Sequence, residues 1–161
     1  MADYRNNSFG NNRNSQNGSR PSYGQEKKDP VQEVKDWKSN NLYYESLWIK
    51  NDADERLVEY AEKAGEQLAK TGLTTSKIRS IYGEIKRIQV SDFDKNKPSF
   101  YLLKPKVAYA VGRDNKNKGL ILFQLIFNEC AKDVTDKKSY QNFCNFIEAI
   151  LAYHKANSNE K

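Results

Sequence analysis

From Asp52 onward, apolar residues recur at spacings of three and four, the period of a helix that buries one face. Leu57, Ala61, Ala64 and Leu68 share a face in a segment that Asp52 or Asp54 can cap and that Gly72 can end. Its acidic first turn suits the positive end of the helix dipole. "LTTSKIRSIYGEIKRIQ" follows, capped by Thr74 or Thr75, with Ile78, Ile81, Tyr82, Ile85 and Ile88 in one stripe. "FDKNKPS" reads as a loop. The next helix is predicted from Pro105, whose locked φ suits a first turn, and any helix before that proline must be kinked or separate. Val107, Ala108 and Val111 form its core side, and "NKNKG" is the following loop.

"LILFQLIFNECAKDV" is apolar almost all round, as befits a helix at the centre of a bundle or beneath a partner. Leu120, Phe123, Phe127, Cys130 and Val134 form one stripe of it. The last helix is predicted over about 139–156, with Tyr140, Phe143, Ile147, Ile150, Leu151 and His154 on its core side. No useful run alternates with a period of two. The fold class is therefore all-α, a compact bundle of about five main helices.

The first 50 residues depart from this pattern. Residues 1–28 are rich in Asn, Ser, Gly and Gln and almost free of aliphatic side chains. Such a stretch cannot bury enough apolar area to offset the entropy of ordering it, so it reads as a disordered extension. Residues 29–50 are intermediate, a partly ordered lead-in with a short helix near 32–38. Trp37, Leu42, Tyr43, Leu47 and Trp48 are too apolar for a free linker and are expected to pack on the domain or on a partner. The folded domain is expected over 51–156.

Charge then changes the picture. The chain carries a formal net charge of +6, and residues 71–118 alone carry 11 basic and four acidic residues, net +7. A surplus confined to one third of a chain is the footprint of a surface that meets phosphates. At 100° per residue, Arg79 and Lys86 share one flank of their helix, with Arg87 nearer its back and Gly83 between. Lys106 and Arg113 lie two turns apart on one face, with Tyr109 and Ala110 between them.

Catalytic chemistry finds no foothold. His154 is the sole histidine and has no nominated nucleophile, so it reads as a packed helix residue. Cys130 and Cys144 have no metal-ligand spacing and read as small core residues of a reducing compartment, which points to the cytoplasm. No Asp or Glu pair recurs beside the basic region, and the glycine-rich phosphate loop is absent. No apolar run is long enough to span a bilayer. No catalytic residue, metal site or cofactor is predicted. A nucleic-acid-contacting subunit and a pure protein-interaction module both remain open.

The segments "LTTSKIRSIYGEIKRI" (73–88), "LLKPKVAYAVGRD" (102–114), "GLILFQLIFNEC" (119–130) and "FCNFIEAILAYHK" (143–155) together resemble the small-subunit family of the type III-A CRISPR–Cas interference complex, the Csm effector complex. The resemblance covers about residues 50–156. It implies a small all-α, non-catalytic subunit that stacks in several copies beside a filament of backbone subunits, together with the large subunit. It further implies contact with CRISPR RNA and its complementary target RNA. On that footing Arg79, Lys86, Arg87, Lys104, Lys106 and Arg113 are expected to contact RNA backbone, with Lys116 and Lys118 behind them. Such contacts position a strand without reading it, which suits a complex whose specificity comes from guide pairing. The alternative is a helical protein–protein interaction subunit that never touches RNA.

Deleting residues 1–28 is expected to leave the melting temperature nearly unchanged, because almost no apolar area lies there. A fall of many degrees in a thermal melt would show that the tail packs.

Overall fold

The computed structural model describes residues 26–159. The expectation of a disordered tail falls mainly on residues 1–25, outside the described residues. Eight helical segments follow one another: α1 (Pro30–Asn41), α2 (Leu47–Lys50), α3 (Glu55–Lys70), α4 (Thr75–Gln89), α5 (Phe93–Tyr101), α6 (Leu103–Arg113), α7 (Lys118–Ala131) and α8 (Lys137–Asn157). The described chain is all-α, as the periodicity predicts. Six of the eight begin at a side-chain cap: Asp29, Asp54, Thr74, Asp92, Asn117 and Asp136 each accept from a first-turn amide. At α8 the cap is reciprocal, since the Ser139 hydroxyl also accepts from the Asp136 amide at 2.9 Å.

Two segments exceed the predicted five main helices and the short helix near 32–38. One is α2, a single turn of four residues. The other is α5, which occupies the stretch expected to be a loop. Pro98 lies inside it and its charged residues hide its period. What holds it is aromatic packing. Phe93 stacks on Tyr140 at 4.8 Å between ring centroids, and Phe100 meets Tyr140 and Phe143 edge-on at 5.4 and 5.8 Å. Leu102 separates α5 from α6, so the helix before Pro105 is a separate one. Ala108, expected in the core, is exposed, and Leu103 is buried in its place.

The predicted stripes otherwise form the core. Leu57, Ala61, Ala64 and Leu68 of α3, the four isoleucines of α4, and Leu120, Phe123, Phe127, Cys130 and Val134 are all buried. Both cysteines are buried free thiols. α8 packs against α2, α3, α4, α5 and α7. The Tyr140 hydroxyl donates to the Ile85 carbonyl at 2.8 Å and ties α8 to α4.

The lead-in is built into this core. Trp48 is 2% exposed, lies 5.5 Å from Tyr60 and 6.1 Å from Phe146 between ring centroids, and donates its indole N–H to Asp54 at 2.8 Å. Asp54 therefore caps α3 and satisfies Trp48 together. The Tyr44 hydroxyl donates to Asp133 at 2.7 Å, Lys50 pairs with the same carboxylate at 3.4 Å, and Lys38 pairs with Glu129. Burial, and then the hydrogen bond to Asp133, raise the Tyr44 phenol well above its ordinary range, so it stays a donor. Trp37 is half-buried against the core, whereas Tyr43 and Leu47 are exposed.

Close backbone approach sets the helix positions. A Cβ on Gly65 would lie 2.6 Å from the His154 amide nitrogen and the Ile150 carbonyl oxygen of α8. A Cβ on Gly119 would lie 2.5 Å from the Leu73 nitrogen. Gly119 donates to the Thr71 carbonyl at 3.2 Å and Asn117 to the Gly72 carbonyl at 2.9 Å. His154 Nε2 lies 2.8 Å from the Leu73 carbonyl. A carbonyl only accepts, so this contact puts the imidazole proton on Nε2. The turn 71–73 is therefore where α3, α4, α7 and α8 are joined.

Gly65→Ala is expected to cost about 1–3 kcal/mol through overpacking, toward the upper end because the obstacle is backbone. Gly83→Ala is the control, since its Cβ would meet nothing within 4 Å. There the better helix propensity of alanine should stabilise by about 0.5–1 kcal/mol. Chemical denaturation of both variants checks the contrast, and equal stabilities would refute the close-packing account.

Candidate nucleic-acid interface

A groove of about 930 Å³ lies between α4, α6 and the start of α7. Its α4 wall consists of Ser76, Lys77, Ser80 and Ile81. Its α6 wall consists of Leu102, Pro105, Lys106, Tyr109, Ala110 and Arg113, and Asp114 and Leu120 close one end. The lining is mixed: Ile81, Leu102, Pro105, Tyr109, Ala110 and Leu120 are apolar or aromatic, and Lys77, Lys106, Arg113 and Asp114 are charged. Leu102 and Tyr109 remain 57% and 67% exposed.

The helical period explains this wall. Lys106, Tyr109 and Arg113 sit at spacings of three and four, so they project along one face, roughly a quarter turn around α6 from the side on which Leu103 and Val107 are buried. Arg113 lies over the Tyr109 ring, 5.8 Å from its centroid, an arrangement in which the ring face attracts the cation. Lys77 bridges the groove by donating to Asp114 Oδ2 at 2.6 Å. That hydrogen bond from Lys77 holds the Asp114 carboxyl below the usual carboxylate range.

The eight cations expected from the sequence do not share one surface. Lys106 and Arg113 line the groove together. Arg79 follows Lys77 by two residues, about 200° around α4, and so lies away from the groove. Lys86, on the same flank as Arg79, pairs with Glu148 of α8 at 3.3 Å. The two cation pairs that the sequence picks out, Arg79 with Lys86 and Lys106 with Arg113, therefore lie on different surfaces. The reason is that α6 packs along the opposite side of α4. Arg87 is held by Glu84 through contacts of 2.8 and 3.0 Å, and Lys106 approaches the same carboxylate at 3.9 Å. The Arg87 hydrogen bonds lower the Glu84 carboxyl, with Lys106 adding to the effect.

Lys104 precedes Lys106 by two residues and faces away from the groove by the same geometry. Lys116 is exposed in the α6–α7 turn, and Lys118 pairs with Glu33 of α1 at 2.7 Å. Arg79, Lys104, Arg113 and Lys116 have no ion pair among the described residues. Gly83 opens on space and crowds nothing. Lys77, Ser76 and Ser80 complete the groove although sequence reasoning did not single them out. The signal was present, since Ser76, Lys77 and Ser80 fall within about 100° of one another around α4. What that spacing lacks is the direction in which α4 and α6 face each other.

No group of three His, Cys, Asp or Glu side chains placed to hold a metal ion occurs among the described residues. His154, 2% exposed and engaged with Leu73, is structural. No described helix is long and apolar enough to cross a membrane.

The family model for Csm2 Type III-A matches residues 51–160, which include α3 to α8 and the whole groove. The CRISPR system Cms protein Csm2 of Streptococcus thermophilus is 32% identical over 111 residues, spanning 63% of this chain and 91% of that protein. No solved structure matches the chain significantly. Proteins of this family are non-catalytic structural subunits. With the family pattern running through every helix from α3 to α8, the chain belongs to the Csm2 family of small subunits in type III-A CRISPR–Cas complexes.

Proposed function

We propose that this subunit holds guide and target RNA by their backbones, and that the groove between α4 and α6 is the main contact surface. The observation that carries the reading is an open groove whose rim bears Lys77, Lys106 and Arg113 against a single carboxylate, Asp114, within the third of the chain that holds the charge surplus. Phosphate contacts of this kind are weak singly and fade with salt. Several copies stacked beside the backbone subunits and the large subunit would add them, by raising effective concentration. Arg79, Lys86, Lys104, Lys116 and Lys118 form an outer set away from the groove lining, and Arg87 lies beyond the groove on the Glu84 carboxylate that Lys106 also approaches. The pairing of Lys86, Arg87 and Lys118 with carboxylates makes them weaker phosphate ligands than Arg113.

The second reading is a protein-docking module without RNA contact. It is favoured by the outer cations being dispersed over several faces and by exposed Tyr43, Leu47 and Val90.

Both readings are tested in the assembled complex with guide RNA, by titrating target RNA at several salt concentrations. The Lys106→Ala/Arg113→Ala variant is expected to weaken binding for all target sequences alike and to lower the salt slope by about 0.7 per lost contact. Both sites are exposed, so stability should change by no more than about 0.5 kcal/mol per site. The Arg79→Ala/Lys86→Ala variant is expected to have the smaller effect. Unchanged affinity and slope in all variants, with assembly intact, would exclude these cations from the RNA path. Failed assembly of the groove variant with RNA contacts intact would favour protein docking.

A further inference from the structure

Backbone contact alone does not account for the floor of the groove. A surface that only meets phosphates needs cations and gains nothing from exposed aromatic and aliphatic side chains. Here Tyr109 and Leu102 are largely exposed, and Pro105, Ile81 and Ala110 complete an apolar face between the basic rim residues. The Ser76 and Ser80 hydroxyls line the facing wall. A largely exposed ring, a guanidinium over one of its faces and a lysine one turn away form a combination that suits single-stranded nucleic acid: a base can stack on the ring and phosphates can meet the cations.

We propose that the α4–α6 groove takes an unstacked nucleotide of single-stranded RNA. Its base lies on Tyr109 and the Leu102–Pro105 face, and its phosphate lies between Lys106 and Arg113. The proposal rests on the RNA reading above and adds a requirement to it. A paired and stacked base has no face to offer Tyr109, so the groove distinguishes a single strand from a duplex, which backbone contacts at the rim do not. It also predicts little preference among bases, because every base has a π-face and the groove holds no buried polar group that would read an edge. The rim favours an anion, since Lys77, Lys106 and Arg113 outnumber Asp114.

The test uses the full chain at low salt and two probes: a short single-stranded RNA carrying a fluorescent purine analogue that is quenched by stacking, and the same RNA annealed to its complement. Tyr109→Ala is expected to weaken single-strand binding about fivefold or more and to abolish the quench, while duplex binding stays the same. Tyr109→Phe keeps the ring and should behave as the parent. Lys106→Ala/Arg113→Ala should weaken both probes. If Tyr109→Ala matches the parent while the charge variant loses affinity, the base site is wrong and the backbone reading stands. If neither variant changes binding, both fall. Photocrosslinking of thiouridine-substituted target RNA in the assembled complex reads the same contact where affinity is low. An adduct at Tyr109 supports the site, and adducts confined outside the groove overturn it.

Discussion

The arrangement of helices depends on how closely backbones approach around the turn 71–73. Gly119 lets α7 start against Leu73, and Gly65 lets α8 lie against α3, each at a distance that no side chain would permit. Gly72, with φ at +88°, ends α3 and reverses the chain. His154 and Asn117 then engage the Leu73 and Gly72 carbonyls, which would otherwise be left without partners where the helices converge. α4 leaves this junction at Thr75 and α7 at Lys118, so two of the three helices bordering the groove are anchored there. The groove is thus fixed by packing some distance from its own cations.

The cations on the walls are arranged by a second constraint. α6 uses Leu103 and Val107 to bury one side, and this turns Lys106, Tyr109 and Arg113 outward together. α4 buries its isoleucines and offers one flank to α6 and the other toward α8. Glu148 pairs with Lys86, and Glu84 with Arg87 and more distantly with Lys106, which leaves Arg113 as the groove cation best able to meet an external phosphate. Arg113, without an ion pair among the described residues, therefore lies beside the exposed Tyr109 ring.

Much of this was legible in the sequence, and the exceptions have physical causes. The isoleucine stripe of α4 and the all-round apolar α7 could be read directly, because a helix buried against neighbours must repeat at three and four. α5 could not, since its place depends on Phe93 and Phe100 meeting Tyr140 and Phe143 across the fold, and a short charged segment with a proline carries no period of its own. The burial of Trp48 rests likewise on distant partners, Tyr60 and Phe146. At the candidate site the sequence paired Lys106 with Arg113 correctly, because both lie on one helix. That Arg79 and Lys86 lie on a different side from them was not legible, because which flank of α4 faces α6 is decided by packing and not by spacing within either helix.

If the groove, rather than the outer faces, receives RNA, its side chains must become protected when RNA binds. Hydroxyl-radical footprinting of the assembled complex, with and without target RNA, reads this side chain by side chain. Tyr109 and Leu102 are expected to lose reactivity when target RNA binds, while Tyr43 and Leu47, outside the groove, do not change. Protection of Tyr43 and Leu47 with Tyr109 and Leu102 unaffected would contradict it.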